Sequence, residues 1–173
     1  LAKDGIRCQP LTVSHAFHSP LMAPMRDALE AAAAALPLKA PQWRLFSNVS
    51  GRAATTEELT SATYWRRHVR EPVRFADGLR SLQQVSRPDL LLELGPHPTL
   101  SGFAAATFGD SGPARMALLR KGRDDWTEAL TALAALYRAG VAVDWAALDA
   151  GIARRVVDVP TYPFQRERHW FAA

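Results

Sequence analysis

The stretch DLLLELGPHP, residues 89–98, decides the fold. Leu90, Leu91, Leu92 and Leu94 make a nearly continuous apolar run of strand length. A run without polar alternation reads as a strand buried on both faces, the pattern of a parallel sheet. Gly95-Pro96-His97-Pro98 turns the chain sharply out of it. Residues 100–108 then read as a short helix, and residues 115–119 as the next strand. Strand, helix and strand in that order predict a βαβ unit and an α/β fold.

Working outward, the elements continue to alternate. Upstream, Phe75, Leu79 and Leu82 share one face of a helix over 75–84. Residues 56–69 form another, with Glu57 and Glu58 near its N-terminus and Glu71-Pro72 breaking it. Residues 43–49 read as a strand closed by Ser50-Gly51. Ser19-Pro20 reads as N-cap and first helical position of a helix over 20–36. It carries Leu21, Met22, Met25, Leu29, Ala32, Ala33 and Leu36, with Pro24 in its first turn and Pro37 at its end. Residues 6–13 make the first strand. Downstream, Asp124 opens a helix through Arg138 with Trp126, Leu130, Leu133, Leu136 and Tyr137 expected inward, and Gly140 ends it. Residues 156–171, VVDVPTYPFQRERHWF, have no single period and read as an extended segment laid on another surface. The strands are few for a doubly wound sheet, and the chain opens on Leu1 rather than Met. We therefore expect part of something longer.

The chain has 173 residues, 48% hydrophobic and 22% charged, ordinary for a folded domain. No apolar run is long enough to span a membrane. The formal charge is +4, but the arginines are scattered among acids and form no block suited to nucleic acid. Cys8 is the single cysteine, so no internal disulfide and no paired-cysteine zinc site can form, which fits a reducing cytoplasm.

Five histidines carry the candidate chemistry. His15 and His18 lack a third metal ligand at useful spacing. His97 follows the buried strand, where ligands gather in open α/β sheets, so it is a possible site-lining residue. His68 and His169 sit among charges and are expected at a surface or an interface. Gly109-Asp110-Ser111-Gly112 has turn composition and no strand-to-helix elbow around its serine. Glycine-rich phosphate loops are absent.

Several blocks together carry a resemblance. Residues 13–22 (VSHAFHSPLM), 64–75 (YWRRHVREPVRF), 92–100 (LELGPHPTL) and 119–125 (LRKGRDD) resemble the acyltransferase domains of modular type I polyketide synthases. Residues 159–170 (VPTYPFQRERHW) resemble the linker that follows the acyltransferase there. The blocks stand in family order over nearly the whole chain. The resemblance implies residues 1–17 as the end of a ferredoxin-like small subdomain and hinge, and 18–120 as the later part of an α/β-hydrolase-like large subdomain. Residues 121–173 would be the post-acyltransferase linker.

The activity so implied is transfer of malonyl from malonyl-CoA, through an acyl-serine, to the phosphopantetheine arm of an acyl carrier protein. His18 matches the family's general base. Its orienting acceptor is expected to be a backbone carbonyl in Glu71-Pro72-Val73-Arg74, with Arg74 chosen. The family's Gly-His-Ser-x-Gly elbow and its carboxylate-binding arginine lie upstream in the family and have no match here. The 173 residues alone are expected to be inactive. The form His15-Ala16-Phe17-His18 resembles malonyl-selective members, with Phe17 filling the space an α-methyl needs. Tyr162, Phe164, Arg166 and Trp170 have interface composition and are expected to dock on the ketosynthase and its linker. No metal and no bound organic cofactor is implied, and no nucleic acid or membrane. The alternative is a non-catalytic interaction piece that docks on the ketosynthase or on a complementary acyltransferase chain.

Overall fold

The computed structural model describes residues 2–5 and 13–171. The first strand expected, over 6–13, lies almost entirely outside them. The described elements are α1 (Arg26–Ala34), α2 (Thr56–Leu59), α3 (Ala62–His68), α4 (Phe75–Ser86), β1 (Leu90–Glu93), α5 (Thr99–Phe108), β2 (Ala114–Ala117), α6 (Asp125–Arg138) and α7 (Trp145–Leu148). Short 3-10 turns precede α1 and follow α5. The chain divides into two compact units, Leu1–Ala132 and Leu133–Ala173.

In the first unit, β1 and β2 pair in parallel, with Leu90 opposite Ala114 and Glu93 opposite Ala117. The decisive stretch thus forms the parallel strand it predicts, with α5 as the crossover. Leu90, Leu91 and Leu92 are half-buried rather than enclosed, and Leu94 is exposed. The two strands are the whole sheet among the described residues. Glu93, at the end of β1, reaches the start of α5: its carboxylate accepts the N–H groups of Leu100 and Ser101 at 2.9 and 2.7 Å. Pro98, the N-cap, makes no side-chain cap. The strand therefore caps the helix that follows it.

Helix α1 packs on α3. Arg66 of α3 bridges Asp27 and Glu30 of α1 at 2.9 and 3.0 Å, and the Thr63 hydroxyl donates to Glu30 at 2.7 Å. Val49, Leu59 and Tyr64 form the buried cluster, with Ala54 and Trp65 around it.

Four expectations need correction. Residues 43–49 form no strand, only a bridge between Phe46 and Ala53. The fully buried Ser47 is the cause: its hydroxyl accepts the N–H groups of Val49 and Ser50, and the chain turns back. The helix over 56–69 is two helices. Thr60 bonds its hydroxyl back to the Thr56 carbonyl at 2.8 Å, and extended Ser61 stands at the N-cap position of α3 without a side-chain cap. The helix after Ser19 starts as a 3-10 turn, Pro20–Met25, because Pro24 has no N–H to continue an α ladder. On α6, Trp126, Leu130 and Tyr137 are exposed, not inward. Helical spacing identifies an apolar face but not what covers it.

In the second unit, Asp144 caps α7 through the Ala147 N–H at 2.9 Å. Tyr137 and Trp145 meet edge to face, with centroids 5.3 Å apart. Residues 153–171 have neither helix nor strand. Among the described residues no helix is long and apolar enough to cross a membrane.

Candidate active site

His18 ends a tight loop just before the Pro20–Met25 turn. Ser19 builds that loop from both sides: its hydroxyl donates to the Ala16 carbonyl at 2.6 Å and accepts from the Leu21 N–H at 3.3 Å. His18 itself takes φ +59°, uncommon for a residue with a Cβ. Two tethers hold it there. Its N–H donates to the Val69 carbonyl at 3.1 Å, at the end of α3. Its ring Nδ1 lies 2.8 Å from the Glu71 carbonyl. A carbonyl can only accept, so Nδ1 carries the hydrogen. In the neutral ring Nε2 is then the proton acceptor.

The orienting carbonyl is that of Glu71, not of Arg74. Both stand in the expected block, but Arg74 starts α4 and its carbonyl accepts the Gly78 N–H at 3.0 Å, as the helix ladder requires. Glu71 is itself pinned. Arg67, one turn earlier, grips its carboxylate with two bonds of 2.7 and 3.0 Å. That grip holds the Glu71 carboxyl below its usual range; burial opposes it, and the positive charges of Arg67, Arg26 and Arg74 reinforce it. Below this loop, the Asn48 carbonyl takes the Arg74 N–H at 2.8 Å. The Ser47 turn therefore supports the segment that orients His18.

A cavity of about 530 Å³ opens beside the ring, lined by Phe17, His18 and Leu29, the α1 alanines 32 and 33, Trp65 and His68 of α3 and Val69 just after it, with Leu36 and Leu38. Phe17 lines the same cavity as His18. His15 leans on Phe17, with ring centroids 5.8 Å apart, and its Nδ1 meets the Ser14 hydroxyl at 2.9 Å. Ala16 is exposed and enters through its carbonyl.

His97 is not brought to this cavity. It lines a separate apolar hollow of about 750 Å³ between α4, β1 and the start of α5. Tyr162, Phe164 and Trp170 are exposed, Tyr162 and Phe164 stacking edge to face at 5.1 Å. Arg166 is exposed beside them. His169 lies 4.0 Å from Glu167 on the same exposed segment.

His68, expected at a surface or an interface, lies beside the His18 cavity. It is half-buried, its ring 6.1 Å from that of His18. Burial pushes its pKa below the ordinary histidine value, and His18 pushes the same way. The signal was present in the sequence: Tyr64, Trp65 and His68 are spaced to share one helix face.

With this geometry in hand, known proteins can be set beside it. The model of the acyl transferase domain matches residues 1–143. Phenolphthiocerol synthesis polyketide synthase type I Pks15/1 of Mycobacterium marinum is 41% identical over 170 residues, which are 98% of this chain and 8% of that protein. Polyketide synthase GfsB of Streptomyces halstedii is 41% identical over 167 residues, 96% of this chain and 3% of that one. Among solved structures, the acyltransferase domain from the second module of the salinomycin polyketide synthase superposes with a TM-score of 0.76 at 39% identity. That match covers 89% of this chain and 37% of that domain.

Proposed function

The chain belongs to the acyl transferase domain family, and from that premise we propose that it serves as the later part of a polyketide synthase acyltransferase loading malonyl onto an acyl carrier protein. The bond from His18 Nδ1 to the Glu71 carbonyl carries this reading, because it leaves Nε2 as proton acceptor at a cavity. A serine outside these 173 residues supplies the nucleophile. His18 Nε2 takes its hydroxyl proton as the oxygen attacks the thioester carbonyl of malonyl-CoA. The tetrahedral adduct collapses, the carbon–sulfur bond breaks, and the imidazolium returns the proton to the coenzyme A thiolate. The phosphopantetheine thiol of the carrier protein then attacks the acyl-serine. His18 takes the thiol proton and gives it back to the serine oxygen.

The Glu71 carbonyl holds the ring in the tautomer these steps need and faces the positive imidazolium as it forms. Phe17 stands where it would crowd an α-methyl. Residues 18–120 act in the large subdomain. Residues 121–173 act as linker, with Tyr162, Phe164, Arg166 and Trp170 docking on the ketosynthase and its linker. No resident cofactor enters the scheme.

Competition between malonyl-CoA and methylmalonyl-CoA for the full-length polypeptide tests the substrate. One methyl supports a preference of about 10–200-fold. A clear malonyl preference that shrinks in Phe17→Ser is expected. Equal use of both substrates would contradict the assignment.

A further inference from the structure

The steps above leave one imidazole of the site unused. His68 ends α3 with its ring edge-on to His18, at 65° between planes. Its other neighbours are Tyr64 and Trp65, each with its centroid 6.0 Å away. Those two rings pack against each other at 5.1 Å and 89°. Both are fixed by hydrogen bonds: Tyr64 OH to the buried Ser47 hydroxyl at 2.9 Å, and Trp65 Nε1 to the Leu59 carbonyl at 3.1 Å. Among the described residues, neither ring nitrogen of His68 has a hydrogen-bond or ion-pair partner. The ring is held by shape, on an aromatic shelf tied to the core.

We propose that His68 is a positioning residue for His18: seated on the Tyr64–Trp65 shelf, it walls one side of the His18 ring and keeps Nδ1 on the Glu71 carbonyl. This rests on the reading of His18 as base. One hydrogen bond does not fix a histidine ring, whose second side-chain torsion is broad. A ring packed against it removes that freedom. The wall also suits the chemistry. Burial and His18 both disfavour a charge on His68, so His68 adds no second cation when His18 takes up a proton.

The test is malonyl transfer by the full-length polypeptide carrying His68→Ala, His68→Phe or His18→Ala. An off-aim base costs up to about 100-fold in turnover. His68→Ala is expected to lower kcat by about 10–100-fold with KM held within about threefold. His68→Phe, which keeps a ring without nitrogens, should restore most of the loss. In the 173-residue chain, the nitrogen NMR spectrum should show His18 as one Nδ1–H tautomer, becoming a mixture in His68→Ala. Wild-type turnover in His68→Ala, while His18→Ala is dead, would overturn the role of His68 alone. Equal damage from Phe and Ala would overturn it too, by making the nitrogens essential. Full activity in His18→Ala would overturn the base, and His68 with it.

Discussion

At the scale of single residues, two backbone carbonyls tether His18. Val69 and Glu71 offer carbonyls on either side of Arg70, and both are set by the end of α3. The loop that follows is gripped from below by the Ser47–Gly51 turn through Asn48 and Arg74. Gly51 sits at φ +69°, and a Cβ there would lie 2.6 Å from the Asp77 Cβ. Neither the conformation nor the space admits a side chain. Gly51→Ala is expected to destabilise the chain by about 1–3 kcal/mol, read as a lower urea midpoint. An unchanged midpoint would show that the turn does not bear on the loop.

At the scale of elements, Glu93 links β1 to α5 through charge. Burial pushes its carboxyl up, but the N–H groups of Leu100, Ser101 and Thr99 and the Ser101 hydroxyl together outweigh burial and hold it below its ordinary value. A depressed folded pKa contributes stability above the unfolded value of about 4.3, lost as pH falls through the folded value. Glu93→Gln should therefore flatten the fall in stability on acidification below about pH 5. It should also cost about 1 kcal/mol near neutral pH, the usual scale for a lost helix cap. Parallel acid-unfolding curves for the two proteins would refute this. The same scale shows what the sequence reveals. Residues 89–98 spell out β1 because four leucines in five positions, a run of strand length, admit few other readings. The Ser19-Pro20 start was legible because capping is local. The Ser47 turn was not, since it depends on a serine finding Tyr64 seventeen residues away. The choice of Arg74 over Glu71 failed for a similar reason. Sequence placed the loop, but which carbonyl is free depends on where α4 begins. His18 itself was legible only through its family block, since a lone histidine before a helix is ambiguous.

At the scale of the whole molecule, the chain spans 37% of the salinomycin acyltransferase domain, 8% of Pks15/1 and 3% of GfsB. Exposed apolar groups are common on it: Trp43, Leu94 and Phe103 in the first unit, and Val159, Phe164 and Phe171 in the second. Exposed aromatics of this density are typical of surfaces that meet a partner. In the full-length polypeptide, removal of residues 160–173 is expected to weaken association of the acyltransferase with the ketosynthase, measured by limited proteolysis between them. Identical cleavage rates would count against a docking role for this segment. Mix the full-length polypeptide with malonyl-CoA and follow the acyl-enzyme by mass spectrometry, with and without His18→Ala. Wild type should accumulate malonyl on a serine, and His18→Ala should slow that step by about 10²–10⁴-fold, as expected for loss of a general base. Acylation of His18→Ala at the wild-type rate would contradict the account.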